Sequence, residues 1–183
     1  GVVPLCYEGG GQAGRAARIL EREGALRVLW VGTVNLMKGF PYLVEALQGA
    51  VGRRVQVRVA GRIEIRRERL AGLPGCIDLL GPVPRSSVKA LFAESDLLVF
   101  PTLSDGFGLV QLEAMAHGLP VIATSNCGRV VTDGEDGFVI PARDSEALAD
   151  RLDRAAGAGK RRHEWSSNAL RKAARFTLDR YAQ

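Results

Sequence analysis

Three side chains have the types and spacing to handle an anionic, hydroxyl-rich ligand: Lys38, Asp105 and Glu113. Two of them bound the stretch Asp105-Gly106-Phe107-Gly108-Leu109-Val110-Gln111-Leu112-Glu113. It follows an apolar run, passes through a glycine-flanked turn and enters a segment of helical period. Gly106 and Gly108 carry no Cβ, so backbone amides there can approach a ligand closely. Amides at a helix start favour a phosphate, and the helix dipole adds about 0.3–1 kcal/mol. Asp105 stands just before the expected helix, and Glu113 about one and a half turns inside it. Two carboxylates so placed can bind hydroxyls along one sugar or ribose. The same spacing also suits Asp105 as an ordinary helix cap and Glu113 as a solvated helix residue. The motif alone leaves both readings open.

Lys38 follows the stretch Val31-Gly32-Thr33-Val34-Asn35-Leu36-Met37 and opens a helical segment. An ammonium at a helix start opposes the dipole, so a purely decorative lysine is disfavoured there. As a compact point charge it suits a diphosphate. A third loop, Leu80-Gly81-Pro82-Val83-Pro84, is stiffened by its prolines. Its backbone can hydrogen-bond a base, and an ordinary turn fits the spacing equally well.

These residues need a frame. From residue 26 the chain alternates short β-branched runs with helical stretches. Strands are expected at Leu26–Val31, Val55–Val59, Ile77–Leu80, Leu97–Phe100, Leu119–Ala123 and Phe138–Ile140. Helices are expected over Gly39–Gln48, Ile63–Leu70, from a Ser86 or Ser87 cap to Glu94, over Gly108–His117, from a Ser145 cap through Leu152, and over Arg161–Arg175. Leu97-Leu98-Val99-Phe100 is apolar throughout, as a strand covered on both faces must be. Strand–helix alternation implies βαβ units, hence an α/β, Rossmann-like, doubly wound and mostly parallel sheet of about six strands. Ligands of such sheets sit at the carboxyl ends of the strands. All three loops of interest lie there.

Composition narrows the classes. The chain has 183 residues, 46% of them hydrophobic and 25% charged, which excludes disorder and fibrous repeats. No apolar run approaches the ~18 residues needed to span a bilayer. The net charge of +5 is carried mostly by scattered arginines, and no repeated aromatic platform accompanies it. Nucleic-acid binding is therefore not expected. Cys6, Cys76 and Cys127 are dispersed and odd in number, and neither His117 nor His163 has a partner at metal-ligand spacing. A reducing, cytoplasmic setting and no metal are expected, with peripheral contact with anionic lipid as an additional expectation. Gly9-Gly10-Gly11-Gln12-Ala13-Gly14 matches a dinucleotide fingerprint literally. It lacks the strand before it and the acid at the end of the next strand. Residues 1–25 read instead as a linker and a leading helix (Arg15 to Glu23), with the domain proper at 26–183.

Taken together, VGTVNLMKGFPYLVEAL, GPVPRSSVKALFAESDLLVFPTLSDGFGLVQLEAMAHGLPVIAT and DGEDGFVIPARDSEALA resemble the C-terminal half of GT-B glycosyltransferases. The likeness is to the retaining enzymes of family four, also called glycosyl transferases group one. It covers roughly residues 27–156 and extends toward Tyr181. The resemblance implies one half of a GT-B fold that binds an NDP-sugar donor, a UDP- or GDP-sugar, for hexosyl transfer without a metal. It implies that Glu113, the second member of an E-x7-E pair, holds the ribose, and that Asp105, the first, faces the donor sugar. Amides around Gly106, Phe107, Gly108, Leu109 and Val110 would meet the sugar and diphosphate. Lys38 would neutralise the leaving diphosphate, the Val83 backbone would contact the base, and Arg62 lies in the loop that often walls the nucleotide.

Two residues depart from the pattern. Thr33 stands where many members have Arg, which removes one cation from the diphosphate clamp. Asp105 replaces Glu, so its carboxylate is one methylene shorter. The resemblance also implies an N-terminal GT-B domain, carrying the acceptor site, beyond this chain. Loss of that partner wall removes positioning worth about 7–11 kcal/mol of barrier. The isolated chain is thus expected to bind a nucleotide weakly and not to turn over. Thr33 and Asp105 also fit a second class, a non-catalytic nucleotide-binding or scaffolding module. A phosphorylase or epimerase of the same fold is a further alternative.

Overall fold

The computed structural model describes residues 24–176. The glycine-rich stretch 9–14, the leading helix expected over 15–23, Cys6 and the tail from 177 lie outside the described residues.

Six parallel strands form one sheet: β1 (Leu26–Val31), β2 (Val55–Ala60), β3 (Ile77–Gly81), β4 (Leu97–Phe100), β5 (Val121–Thr124) and β6 (Gly137–Ile140), in the order β3-β2-β1-β4-β5-β6. The helices are α1 (Phe40–Ala46), α2 (Arg85–Glu94), α3 (Leu109–Ala116), α4 (Ser145–Gly157) and α5 (Arg161–Ala173). Strand alternation sends the side chains of each strand to two faces. Leu26, Val28 and Trp30 join Phe40, Leu43, Leu148 and Leu152 on one side, beneath α1 and α4. Leu29, Leu98 and Phe100 join Leu91, Leu112, Met115 and Ala169 on the other, beneath α2, α3 and α5. Each of the larger apolar side chains among them contributes about 1.5–3 kcal/mol on burial. All four residues of β4 are buried, as its unbroken apolar run requires.

The order reverses between β1 and β4. The chain leaves β1 through α1 to β2 on one side, and leaves β4 through α3 to β5 on the other. Diverging connections open a crevice at the carboxyl ends of these two strands, the usual ligand position in such sheets.

Several local expectations are corrected. Ile63–Leu70 is not a helix. Ile63 forms an isolated parallel bridge with Val34, and only Arg67–Arg69 makes a single 3₁₀ turn. Ile63 and Ile65 alternate with charged neighbours, which is strand period, and no helical face of this segment is apolar. Neither Ser86 nor Ser87 caps α2. The helix starts at Arg85, and Pro84 before it stands at the cap position with no side-chain cap hydrogen bond. Asp144, rather than Ser145, caps α4 by accepting a hydrogen bond of 2.8 Å from the Ala147 amide. The fifth strand starts at Val121 instead of Leu119, because Pro120 has no N–H to give the ladder.

Candidate functional site

The loop after β1 and the loop after β4 are tied to each other. Leu103 N donates to Met37 O at 2.8 Å. The fully buried Thr102 hydroxyl lies 3.1 Å from the same carbonyl. Gly39 closes the joint. Its φ is +80°, and a Cβ there would stand 1.8 Å from the Pro101 carbonyl oxygen. Only glycine allows that approach. The β5 loop braces the other side: Asn126 Nδ2 donates to Leu103 O at 2.9 Å, and Asp105 N donates to Asn126 O at 3.1 Å.

This scaffold brings Lys38 and Asp105 together. The Lys38 ammonium donates to Asp105 Oδ2, with the two side chains 30% and 19% exposed. Among the described residues no other hydrogen-bond donor reaches the Asp105 carboxylate. Asn35 orients the lysine: its Oδ1 accepts from Lys38 N at 2.9 Å, and its Nδ2 donates to Glu64 Oε2 at 3.1 Å. Glu64 in turn is ion-paired with Arg62. Sequence reasoning missed Asn35, Glu64 and Asn126. Their only signal was a polar side chain in a loop at the carboxyl edge, which many loops share.

Asp105 is not a helix cap. The residue before α3 is Gly108, left-handed at φ +70°, and α3 begins at Leu109 without a side-chain cap. A Cβ on Gly108 would lie 2.7 Å from the Phe100 ring. Among the described residues, the five amides from Gly106 to Val110 have no hydrogen-bond acceptor. The turn is held from behind by Gln111, fully buried, whose Nε2 donates to Phe107 O at 3.1 Å and Gly128 O at 3.3 Å. Gln111 Oε1 is buried without a partner. Phe107 and Leu109 are exposed at 37% and 65%, as are Leu36 and Met37 on the facing loop, at 56% and 52%.

Glu113 lies deeper along α3. Its carboxylate is 35% exposed and 3.6 Å from the guanidinium of Arg85, the first residue of α2. Arg85 directly follows the Val83 loop, so this ion pair ties the start of α2 to α3. Val83 is half-buried against the α2–α3 side of the core. Thr33 is half-buried beside Val34, which bridges to the β2 loop. Arg62, in the loop after β2, has a side chain 74% exposed and ion-paired with Glu64. Cys127, on the β5 loop, donates to Thr124 O at 3.2 Å. Burial pushes its thiol pKa up, and the charge of Asp105 adds to that. No group of histidine, cysteine or carboxylate side chains among the described residues could hold a metal. No described helix is long and apolar enough to cross a membrane.

The arrangement offers free amides and an ammonium for a diphosphate, and carboxylates on both sides for hydroxyls. Comparison with known proteins places the family and the fold. The family described as Glycosyl transferases group 1 matches residues 25–157. The phosphatidyl-myo-inositol mannosyltransferase of Mycobacterium leprae is 36% identical over 149 residues, covering 70% of this chain and 40% of that protein. The chain thus spans about two fifths of that relative's length. The C-terminal domain of a glycosyl transferase group 1 protein (LpcC) from Francisella tularensis has the same fold, with a TM-score of 0.77 at 22% identity over 96% of this chain and 98% of that one. Anabaena HepE, solved in complex with UDP and glucose, superposes with a TM-score of 0.73 at 22% identity over 90% of this chain and 46% of its own. The sheet is therefore that of a GT-B C-terminal half.

Proposed function

The chain belongs to the family Glycosyl transferases group 1, and from that premise we propose that residues 26–183 form the donor-binding domain of a retaining hexosyltransferase using a UDP- or GDP-sugar. The observation that carries the reading is the run of five unpaired amides, Gly106 to Val110, beside the Lys38 ammonium at the β1/β4 switch point. Unpaired amides at a helix start and a nearby cation are what a diphosphate needs.

The roles follow from position. The diphosphate lies on the amides of Gly106, Phe107, Gly108, Leu109 and Val110, with Lys38 against its oxygens. Glu113 accepts from the ribose hydroxyls, and the Val83 backbone meets the base. Asp105 accepts from hydroxyls of the sugar. As the bond from sugar to phosphate breaks, charge gathers on the departing diphosphate. Lys38 and the fixed amides meet that charge without reorganising, which lowers the barrier. Thr33 contributes at most a hydroxyl where a cation would have helped. Arg62 supports the loop through Glu64. The partner wall and the acceptor site belong to an N-terminal domain outside this chain, so the chain alone binds donor without transferring it.

Calorimetric titration with UDP, GDP and ADP tests the reading. One nucleotide should bind selectively, and Glu113→Ala should weaken it by one or two charge-assisted hydrogen bonds, about 1.5–3 kcal/mol each. Equal binding by the variant would remove Glu113 from the site. Absence of binding by a folded chain and by a full-length protein carrying it would overturn the proposal.

A further inference from the structure

Lys38 and Asp105, each assigned above to a different part of the donor, hold one another in the ligand-free chain. We propose that the site works by partner exchange, and that this exchange makes it prefer an intact sugar nucleotide over the spent nucleoside diphosphate. The proposal rests on the donor-site reading above.

The physical case begins with competition. The lysine ammonium has three donors but a single charge, and Asp105 and a diphosphate are both anions, so seating a diphosphate fully against it draws it off the aspartate. It is a point charge on a flexible stem, so it can swing between acceptors. Asp105 cannot follow. Its backbone is fixed through Asp105 N to Asn126 O, and that loop is tied back through Asn126 Nδ2 to Leu103 O. Once Lys38 leaves, the carboxylate has no other donor among the described residues. A partly buried carboxylate, 19% exposed in the side chain, is costly to leave bare.

The two ligands differ at this point. A sugar nucleotide brings hydroxyls to Asp105 while its diphosphate takes Lys38, so both partners of the broken pair are satisfied. A nucleoside diphosphate takes Lys38 and supplies nothing to Asp105. The carboxylate therefore opposes the product and accepts the donor. The shorter aspartate also binds this role to its backbone: its reach is small, so the sugar must come to it.

Lysine ammonium signals in proton–nitrogen correlation spectra give the direct readout. The chain has four lysines, at 38, 89, 160 and 172, and Lys38→Arg identifies the relevant signal. UDP with UDP-glucose, and GDP with GDP-mannose, serve as paired probes, with affinities from calorimetry. The Lys38 signal of the ligand-free chain should move in Asp105→Asn, and should move again when a sugar nucleotide binds. Asp105→Asn should tighten the nucleoside diphosphate by about three- to tenfold while leaving the sugar nucleotide unchanged or weaker. Three results would overturn the exchange: a Lys38 signal indifferent to Asp105→Asn, a bound sugar nucleotide that leaves that signal in place, or equal tightening of both ligands. If binding is lost in Glu113→Ala yet the affinity ratio is the same in Asp105→Asn, exchange fails and the donor site stands. If no probe binds either chain or a full-length protein carrying it, both fail.

Discussion

Two ion pairs of similar exposure join the same two strands at opposite ends, and they are built for different purposes. At the amino end, Arg27 of β1 grips Asp96, which precedes β4. Its Nη2 is 2.5 Å from Oδ1, and its Nε and backbone amide each donate to Oδ2 at 3.0 Å. The side chains are 24% and 12% exposed. At the carboxyl end, Lys38 and Asp105 are 30% and 19% exposed and share one contact. The Arg fork satisfies both carboxylate oxygens in a fixed geometry. The lysine leaves most of the acceptor capacity of Asp105 unused. A saturated pair is a clamp, and an unsaturated one at a ligand crevice is an exchangeable partner. Burial alone would not have separated them; the number and rigidity of the donors does.

Substitutions can break this contrast. The largest effect should come from Lys38→Met in a full-length protein carrying this chain. Turnover should fall by about 10²–10³-fold with little change in unfolding midpoint, as expected when charge on the leaving group is no longer met. A fall below tenfold would remove Lys38 from the reacting centre. Next, Asp96→Ala should lower the unfolding free energy of the chain by about 1.5–3 kcal/mol in urea, because three hydrogen bonds go and Arg27 is left without its partner. Asp105→Asn should cost less than about 1 kcal/mol in the same experiment, since only one point contact is lost. Equal losses at the two positions would make both pairs clamps.

The smallest effect sharpens the electrostatics around Asp105. Cys127 has its thiol pKa raised by burial first and by Asp105 second. An acid whose folded pKa is raised is held neutral by the fold. Its contribution to stability is whole below the ordinary thiol value of about 8.5, and is lost as pH rises through the raised one. In a Cys6→Ser, Cys76→Ser background, iodoacetamide should modify Cys127 several-fold more slowly at pH 8.5 than it does in the urea-unfolded chain. Asp105→Asn should recover a minor part of that difference. Full recovery would make Asp105, rather than burial, the main cause.

The frame of this molecule could be read from its residues because the frame is a matter of local period. Leu97 to Phe100, apolar without interruption, gave away a strand covered on both faces, and the alternation around it gave the doubly wound sheet. Lys38, Asp105 and the glycine turn could be singled out as candidates because they stand at the ends of such elements, and Glu113, inside α3, only as the second carboxylate of the pair. Contacts between distant residues were not. Nothing near Lys38 in the chain announces Asp105. The need for glycine at position 39 comes from Pro101, far along the sequence. The segment Ile63–Leu70 misled because its charges obscured a two-residue alternation, and its bridge to Val34 is tertiary. Arg62 was placed by resemblance alone, and its ion pair with Glu64 had no signal of its own in the sequence.

The two ion pairs share one more property, their separation along the chain: 69 residues for Arg27 and Asp96, and 67 for Lys38 and Asp105. One event forms both, the docking of β4 beside β1 at the middle of the sheet. Closing a loop of that length carries an entropic cost that must be met before the new contacts return anything, so such parallel pairings form late and slowly. During synthesis the first βαβ unit can assemble while the anion-binding turn is still unmade. The wall that carries Lys38 can thus form first, and the crevice is completed only when β4 docks at the centre of the sheet.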